Sequence, residues 1–427
     1  MRMRILLRCA VLAGALLVLA SCNSGGNGGK ASVRVVNASM DYASVDLYLD
    51  DKRKLAAVGF ETVSGFAKAD AGDYTVEFRQ ADAAGALESF SKKFGTGDRW
   101  SYVVLGSSGH FQVLAIDETH KEADTGKAFI RLVNAADDAG ALDIYLTDES
   151  TALTDASPIF AGVPADTLAD EGLVVLDKGS YRLRVTAAGS TSDLRLDRSG
   201  VALASKGVYT LVVCGTPGGV LADAMLVPQR GEATVIPTDK ARVRAVVGLG
   251  GGTSVSVTVD DTALIQTAAI PVLGDYQLVG AGTAAVALAV DGTDVPVGNV
   301  QLAAGSDYSL VYTGAGSAVT QSVVADVNRL PASGAFKIRL VNAMSALDEP
   351  LSMSVDFVPV LDAVGLGSAA LSDAIDAVDN GRLDVTRDTT LSVLYSATSL
   401  TLNSRAVYTQ VMFGSAAAPA GTLRKDR

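Results

Sequence analysis

Residues 31–49 read ASVRVVNASMDYASVDLYL, and this stretch decides the fold. Its first half is an apolar strand with one arginine inside it, Arg34. Its second half alternates: Val45, Leu47 and Leu49 point to one side of a strand, Asp46 and Tyr48 to the other. The opening strand recurs as Ala128-Phe-Ile-Arg-Leu-Val-Asn134, Ala241-Arg-Val-Arg-Ala-Val-Val247 and Phe336-Lys-Ile-Arg-Leu-Val-Asn342. Arg34, Arg131, Arg244 and Arg339 are thereby separated by 97, 113 and 95 residues, each the length of a small domain.

Working outward, the alternating strand returns as Leu142 to Leu146 and Val255 to Val259, and a longer turn places it at Met353 to Phe357 in the fourth copy. Gly72-Asp-Tyr-Thr-Val76, Gly179-Ser-Tyr-Arg-Leu183 and Gly274-Asp-Tyr-Gln-Leu278 read as a turn feeding a strand, without a clean fourth counterpart. An aromatic then precedes a glycine by six residues at Trp100, Tyr209, Tyr308 and Tyr408. Three copies close on an apolar segment (Val113 to Ile116, Ala222 to Val227, Val323 to Val327), whereas the fourth ends in weak strand formers after Ala417. One stretch, Ser368 to Val378, carries Leu371, Ile375 and Val378 at helical spacing and predicts a short loop helix. Short strands and frequent turns predict an all-β chain of four tandem immunoglobulin-like β-sandwich domains. Their expected bounds are 31–120, 127–229, 240–329 and 335–427.

The motifs VRVVNAS, VDLYLD, GDYTV and YxxVxxG resemble the bacterial domain of unknown function numbered 4397, which occurs in tandem in secreted or lipid-anchored proteins. Asn37, Asn134 and Asn342 match its VNA element, and Asp46 and Asp143 its VD step. The third copy departs at Val247 and Ser256, and the fourth at Ser354. The resemblance implies a sandwich fold and no activity.

Residues 1–21 read as a signal peptide. Arg2, Arg4 and Arg8 precede an apolar run from Cys9 to Ala20, too short for a bilayer core of about 30 Å. Leu19-Ala20-Ser21-Cys22 resembles the lipobox of bacterial lipoproteins. The resemblance implies cleavage before Cys22, acylation of its sulfur and new amino terminus, and an anchor in the membrane. Asn23 in the following position favours the outer membrane if the organism is Gram-negative. Residues 22–30 form a lipidated, flexible tether. The expected address is the cell envelope.

The whole chain of 427 residues carries net charge −12, and its single strongly basic stretch is at the very start, so no nucleic-acid partner is expected. Loss of the leader's three arginines takes the mature chain to −15. Of three cysteines only Cys214 remains once Cys9 is removed and Cys22 acylated; it sits in an apolar strand and reads as a small core residue. His110 and His120 bracket a strand and do not converge, and Asp137-Asp138, Asp260-Asp261 and Asp291 to Asp294 lack calcium-loop spacing. The glycine run Gly248 to Gly252 leads into a strand, where a nucleotide fingerprint must open a helix. No catalytic residue, cofactor or metal is therefore expected. The repeated arginines read as mid-strand groups meeting water or a carboxylate, the asparagines as turn holders, and Tyr209, Tyr308 and Tyr408 as packed rings with satisfied hydroxyls. The expected function is a non-enzymatic envelope lipoprotein acting as a structural, scaffold or adhesion module. The alternative is a carbohydrate- or peptide-binding protein using the sandwich-end loops, with an envelope protein or glycan as partner.

Overall fold

The strand Lys30–Asn37 is buried along both faces. It runs parallel to Arg99–Leu105, with Arg34 beside Ser101, and parallel strands occur where both faces are covered. Gln112–Asp117 continues this mixed sheet beyond Arg99–Leu105, while Thr62–Val63 and Ala67–Asp70 pair along the free side of the opening strand. An antiparallel sheet lies across it in the order Lys52–Gly59, Ser44–Leu49, Gly72–Gln80, Ala86–Phe94. Ala31, Val33 and Val35 from the first sheet meet Val45, Leu47, Leu49 and Phe78 from the second in one apolar core.

This computed structural model describes residues 29–316, 318–347 and 349–427; the leader and Cys22 lie outside the described residues. The chain is all-β, 62% strand, with no α-helix among the described residues. The mixed-sheet pattern recurs from Lys127–Ala135, Lys240–Val247 and Ala335–Asn342, which run parallel to Gly207–Gly215, Asp307–Ala315 and Ala406–Ser415. Each recurrence has its own two-sheet core.

The outward faces of the mixed sheets are covered by one another. Val36, Val103, Leu105 and Ile116 of the first repeat pack against Val133, Val212, Cys214 and Met225 of the second. Val246 and Val311 of the third pack in the same way against Val341, Val411 and Phe413 of the fourth. The repeats are therefore joined two by two, face to face. Strand Thr234–Ile236, in the stretch between the second and third repeats, adds an edge to the second mixed sheet.

Four expectations need correction. The residues expected as a helix at Ser368 to Val378 form Ala369–Leu371 and Ile375–Asp376 instead, both paired with the opening strand Ala335–Asn342. The break between them is bridged by Ser372, whose hydroxyl accepts the Ile338 N–H at 3.0 Å. Unfilled backbone groups on the opening strand outweigh a helical spacing of three side chains. The tail after Ala417 forms the strand Ala418–Lys425, because an edge strand tolerates Pro419 and Gly421. Gln277–Gly280, after the Gly274 turn, pairs with the opening strand Lys240–Val247, so Tyr276 corresponds in place to Phe66. The position of Gly72–Gln80 is taken in the third repeat by Val286–Val290, and in the fourth by Val378–Arg387. Finally, the alternating strand of the fourth repeat is Leu351–Val355, two residues earlier than expected, with Asp356 and Phe357 in the left-handed turn conformation.

Candidate functional site

The recurrent arginines face outward from their sandwiches into the two paired interfaces. In the first, Arg34 Nε donates to Ser101 Oγ at 2.6 Å and Nη2 to Glu118 Oε1 at 2.8 Å. Arg131 Nε donates to Thr210 Oγ1 at 2.9 Å, and its Nη2 reaches the other oxygen of Glu118 at 2.9 Å. One buried carboxylate thus joins two guanidiniums from two sheets. Remaining donors go to the carbonyls of Pro228 and Asp117, and the Phe66 ring lies 4.5 Å from Arg34. Burial pulls the Arg34 and Arg131 guanidiniums below their ordinary range despite Glu118, as two cations sharing one anion require.

The second interface repeats the arrangement with two acids. Arg244 Nε donates to Ser309 Oγ at 2.7 Å, Nη1 to Asp426 Oδ1 at 2.8 Å, and Nη2 to Thr409 Oγ1 at 3.1 Å. Arg339 reaches Asp326 Oδ1 at 3.1 Å and Asp426 Oδ2 at 3.4 Å. The Tyr276 hydroxyl donates to Asp326 at 2.6 Å. Burial opposes the Arg244 charge, but Tyr276, Asp326 and Asp426 outweigh it and hold this guanidinium above the usual range.

Of the two surroundings expected for these arginines, water or a carboxylate, the structure selects the carboxylate. The acids themselves were not among the expected residues. Glu118, Asp326 and Asp426 each stand eighteen residues after the recurrent aromatic, and Gln229 stands twenty after Tyr209, so the signal was present but broken in the second repeat.

Asn37 holds more than a turn. Its Nδ2 donates to Tyr42 O at 2.8 Å and, across the sandwich, to Val58 O at 3.0 Å, while Oδ1 accepts the Ser39 N–H. Asn134 does the same to Gly140, Val163 and Ala136, and Asn342 donates to Val364 O. The hydroxyls of Tyr209, Tyr308 and Tyr408 each accept the backbone N–H five residues earlier, at Ala204, Ala303 and Asn403. Where Trp100 replaces tyrosine, Asp98 accepts the equivalent Gly95 N–H at 2.8 Å.

The remaining candidates are not brought together. His110 and His120 are both exposed, at opposite ends of Gln112–Asp117, about 20 Å of strand apart. Among the described residues no group of three or more His, Cys, Asp or Glu converges. Cys214 is buried in the first interface, where burial drives its thiol well above the ordinary range. Asp291 caps the turn at Thr253 and Ser254, and those hydrogen bonds lower its carboxyl to about 2. The glycine run serves packing: a Cβ on Gly248 would stand 1.6 Å from the Ala343 carbonyl oxygen across the second interface.

Residues 31–145 and 241–349, together more than half of the chain, match the Domain of unknown function (DUF4397). The chain belongs to that family. Each DUF4397 match begins at an opening strand and runs on into the following repeat, and the two matches start 210 residues apart, in step with the pairs. A comparison with curated proteins gives no match. Among solved structures, the Bacillus anthracis TIE protein is 10% identical over 66% of this chain and 49% of its own, with a TM-score of 0.14. The product complex of the multi-modular glycogen-degrading pneumococcal virulence factor SpuA is 7% identical over 62% of this chain and 37% of its own, with a TM-score of 0.15. The DUF4397 chain therefore spans about half of the first structure's length and little over a third of the second's.

Proposed function

We propose that the protein is a non-enzymatic cell-envelope lipoprotein, anchored through acylated Cys22 and serving as a rigid scaffold or adhesion module. In this reading residues 31–120, 127–229, 240–329 and 335–427 are four tandem immunoglobulin-like domains. The tyrosine hydroxyls returned to upstream backbone support it, since such corners mark immunoglobulin-like sandwiches. So do the two-sheet cores. The observation that carries the function is the use made of the repeated polar residues. Arg34, Arg131, Arg244 and Arg339, with Asn37, Asn134 and Asn342, are all buried and spend their donors on holding sheets together, which is what a load-carrying spacer asks of them.

The test combines address and chemistry. Cys22→Ala should abolish the lipid mass at the mature amino terminus and release the protein from the membrane fraction. The purified protein should show no turnover of esters, glycosides, phosphates or peptides. A free amino terminus elsewhere without lipid at Cys22 overturns the anchor. Turnover that survives repurification and disappears on changing one surface carboxylate overturns the non-enzymatic reading, and saturable binding on a glycan or peptide array makes recognition the function.

A further inference from the structure

A cavity of about 560 Å³, open to solvent, lies where the second, third and fourth repeats meet. Its wall is polar and carries three guanidiniums, from Arg195, Arg242 and Arg427. Each comes from a different repeat: Arg195 is paired with the half-exposed Asp193, Arg242 lies beside the buried Asp307, and Arg427 has no ion pair among the described residues. Arg195 is buried; it donates to Asp193 Oδ2 at 2.7 Å and to the Val220 carbonyl at 3.2 Å, and its Nε is buried without a partner. Arg242 stacks 4.4 Å from the Tyr276 ring and lies 3.7 Å from Asp307 Oδ1. Arg427 is held through the carbonyls of Gly219 and Asp138, while its backbone is fixed on Val407. Asp426, the other acid on the wall, is committed to Arg244, Arg339 and Arg424.

Asp193 and Asp307 offset two of these three charges, and the one left in excess is costly to hold in a low-dielectric junction. The strain is visible at Arg427, which burial, then Arg195 and Arg242, lower to about 10. A stacked guanidinium and carbonyl-anchored forks are elements of an oxyanion receptor. Three cations facing the half-exposed Asp193 and the buried Asp307 leave one positive charge in excess and favour an anionic guest, and the space left around one tetrahedral group admits an organic substituent.

We propose that this cavity binds a phosphate-class anion, either free phosphate or a phosphomonoester, and that Arg195, Arg242 and Arg427 hold it. Because the three come from three repeats, the guest ties the two pairs to each other. The site is independent of the scaffold reading, which stands if the cavity is empty of function.

Calorimetric titration of the full-length protein at constant ionic strength, with inorganic phosphate in one arm and glycerol 3-phosphate in the other, tests this. One saturable site per chain is expected in at least one arm. Arg195→Gln and Arg242→Gln should each weaken it at least tenfold, and binding should raise the melting temperature with ligand concentration. Asp193→Asn removes a competing anion at the half-exposed rim and should tighten binding several-fold, which keeps the test decisive if an arginine variant fails to fold. Equal affinity in both arms assigns free phosphate, and tighter glycerol 3-phosphate assigns a phosphoester. No saturation below about 10 mM in either arm, or binding indifferent to Asp193→Asn and to the folded arginine variants, overturns the proposal.

Discussion

Glu118 is the single carboxylate between Arg34 and Arg131, whereas Asp326 and Asp426 divide the same task between Arg244 and Arg339. Removing the charge from Glu118 leaves two buried cations with hydroxyls and carbonyls but no anion between them, so Glu118→Gln should cost about 3–5 kcal/mol. Asp326→Asn leaves Asp426 in place and should cost clearly less; denaturant melts of the two variants check the order. A second residue couples the first interface to pH. Glu61 lies against Asp223 of the second repeat, and burial, followed by the Asp223 charge, pushes its carboxyl up to about 7. A carboxyl whose folded value exceeds its unfolded one stabilises fully below the unfolded value, and that stability is lost as pH rises through the folded value. The melting temperature should therefore fall between about pH 5 and pH 8, and Glu61→Gln should flatten that part of the profile. An unchanged slope in the variant would assign the pH dependence to other groups.

At the scale of single elements, the bulge that follows the alternating strand explains the VD step. Asp46 accepts the Ala57 N–H at 2.7 Å and Asp143 the Gly162 N–H at 2.6 Å, where Ala57 has φ +49° and Gly162 +60°. The fourth repeat keeps the bulge at Ala363, φ +54°, although Ser352 stands in the aspartate's place; Asp388, in the turn after Val378–Arg387, supplies the acceptor. Left-handed backbone at alanine costs about 1–2 kcal/mol, so Ala57→Gly should stabilise by roughly 1 kcal/mol and Gly162→Ala destabilise by a similar amount, measured by thermal melts. These elements also mark what sequence makes legible. Alternation revealed Val45 to Leu49 and Leu142 to Leu146 because one face of those strands is core. It could not place Ala369–Leu371 or Ala418–Lys425, whose side chains are mixed and whose position is set by backbone groups of a neighbour. The GDY likeness misled at Tyr276 for a related reason: glycine and aspartate mark a turn without saying which sheet the next strand joins.

In the whole molecule, contacts within a pair differ in kind from contacts between pairs. Within, apolar faces close over the arginine centres. Between, the junction is built from polar straps: Arg329 reaches Asp41 and Asp138, and Arg405 reaches Asp137. Residues 120–126 and 329–335 are themselves fastened, through the His120 carbonyl to Gln229 and through Leu330 to Asp138. The stretch 229–240 joins the two pairs and is exposed on either side of its edge strand Thr234–Ile236, so limited proteolysis should cut first at Arg230–Glu232 or Asp239–Lys240 and release two fragments of double length; four single-repeat fragments at early times would contradict the pairing. The parallel register of Lys30–Asn37 on Arg99–Leu105 has a mechanical meaning as well. Traction applied at residue 29 drags that strand lengthwise past its neighbour. Its ladder is then loaded in shear, all bonds sharing the force at once, where a terminal hairpin would unzip one bond at a time. The first repeat resists traction from its amino-terminal side by geometry, whatever its equilibrium stability.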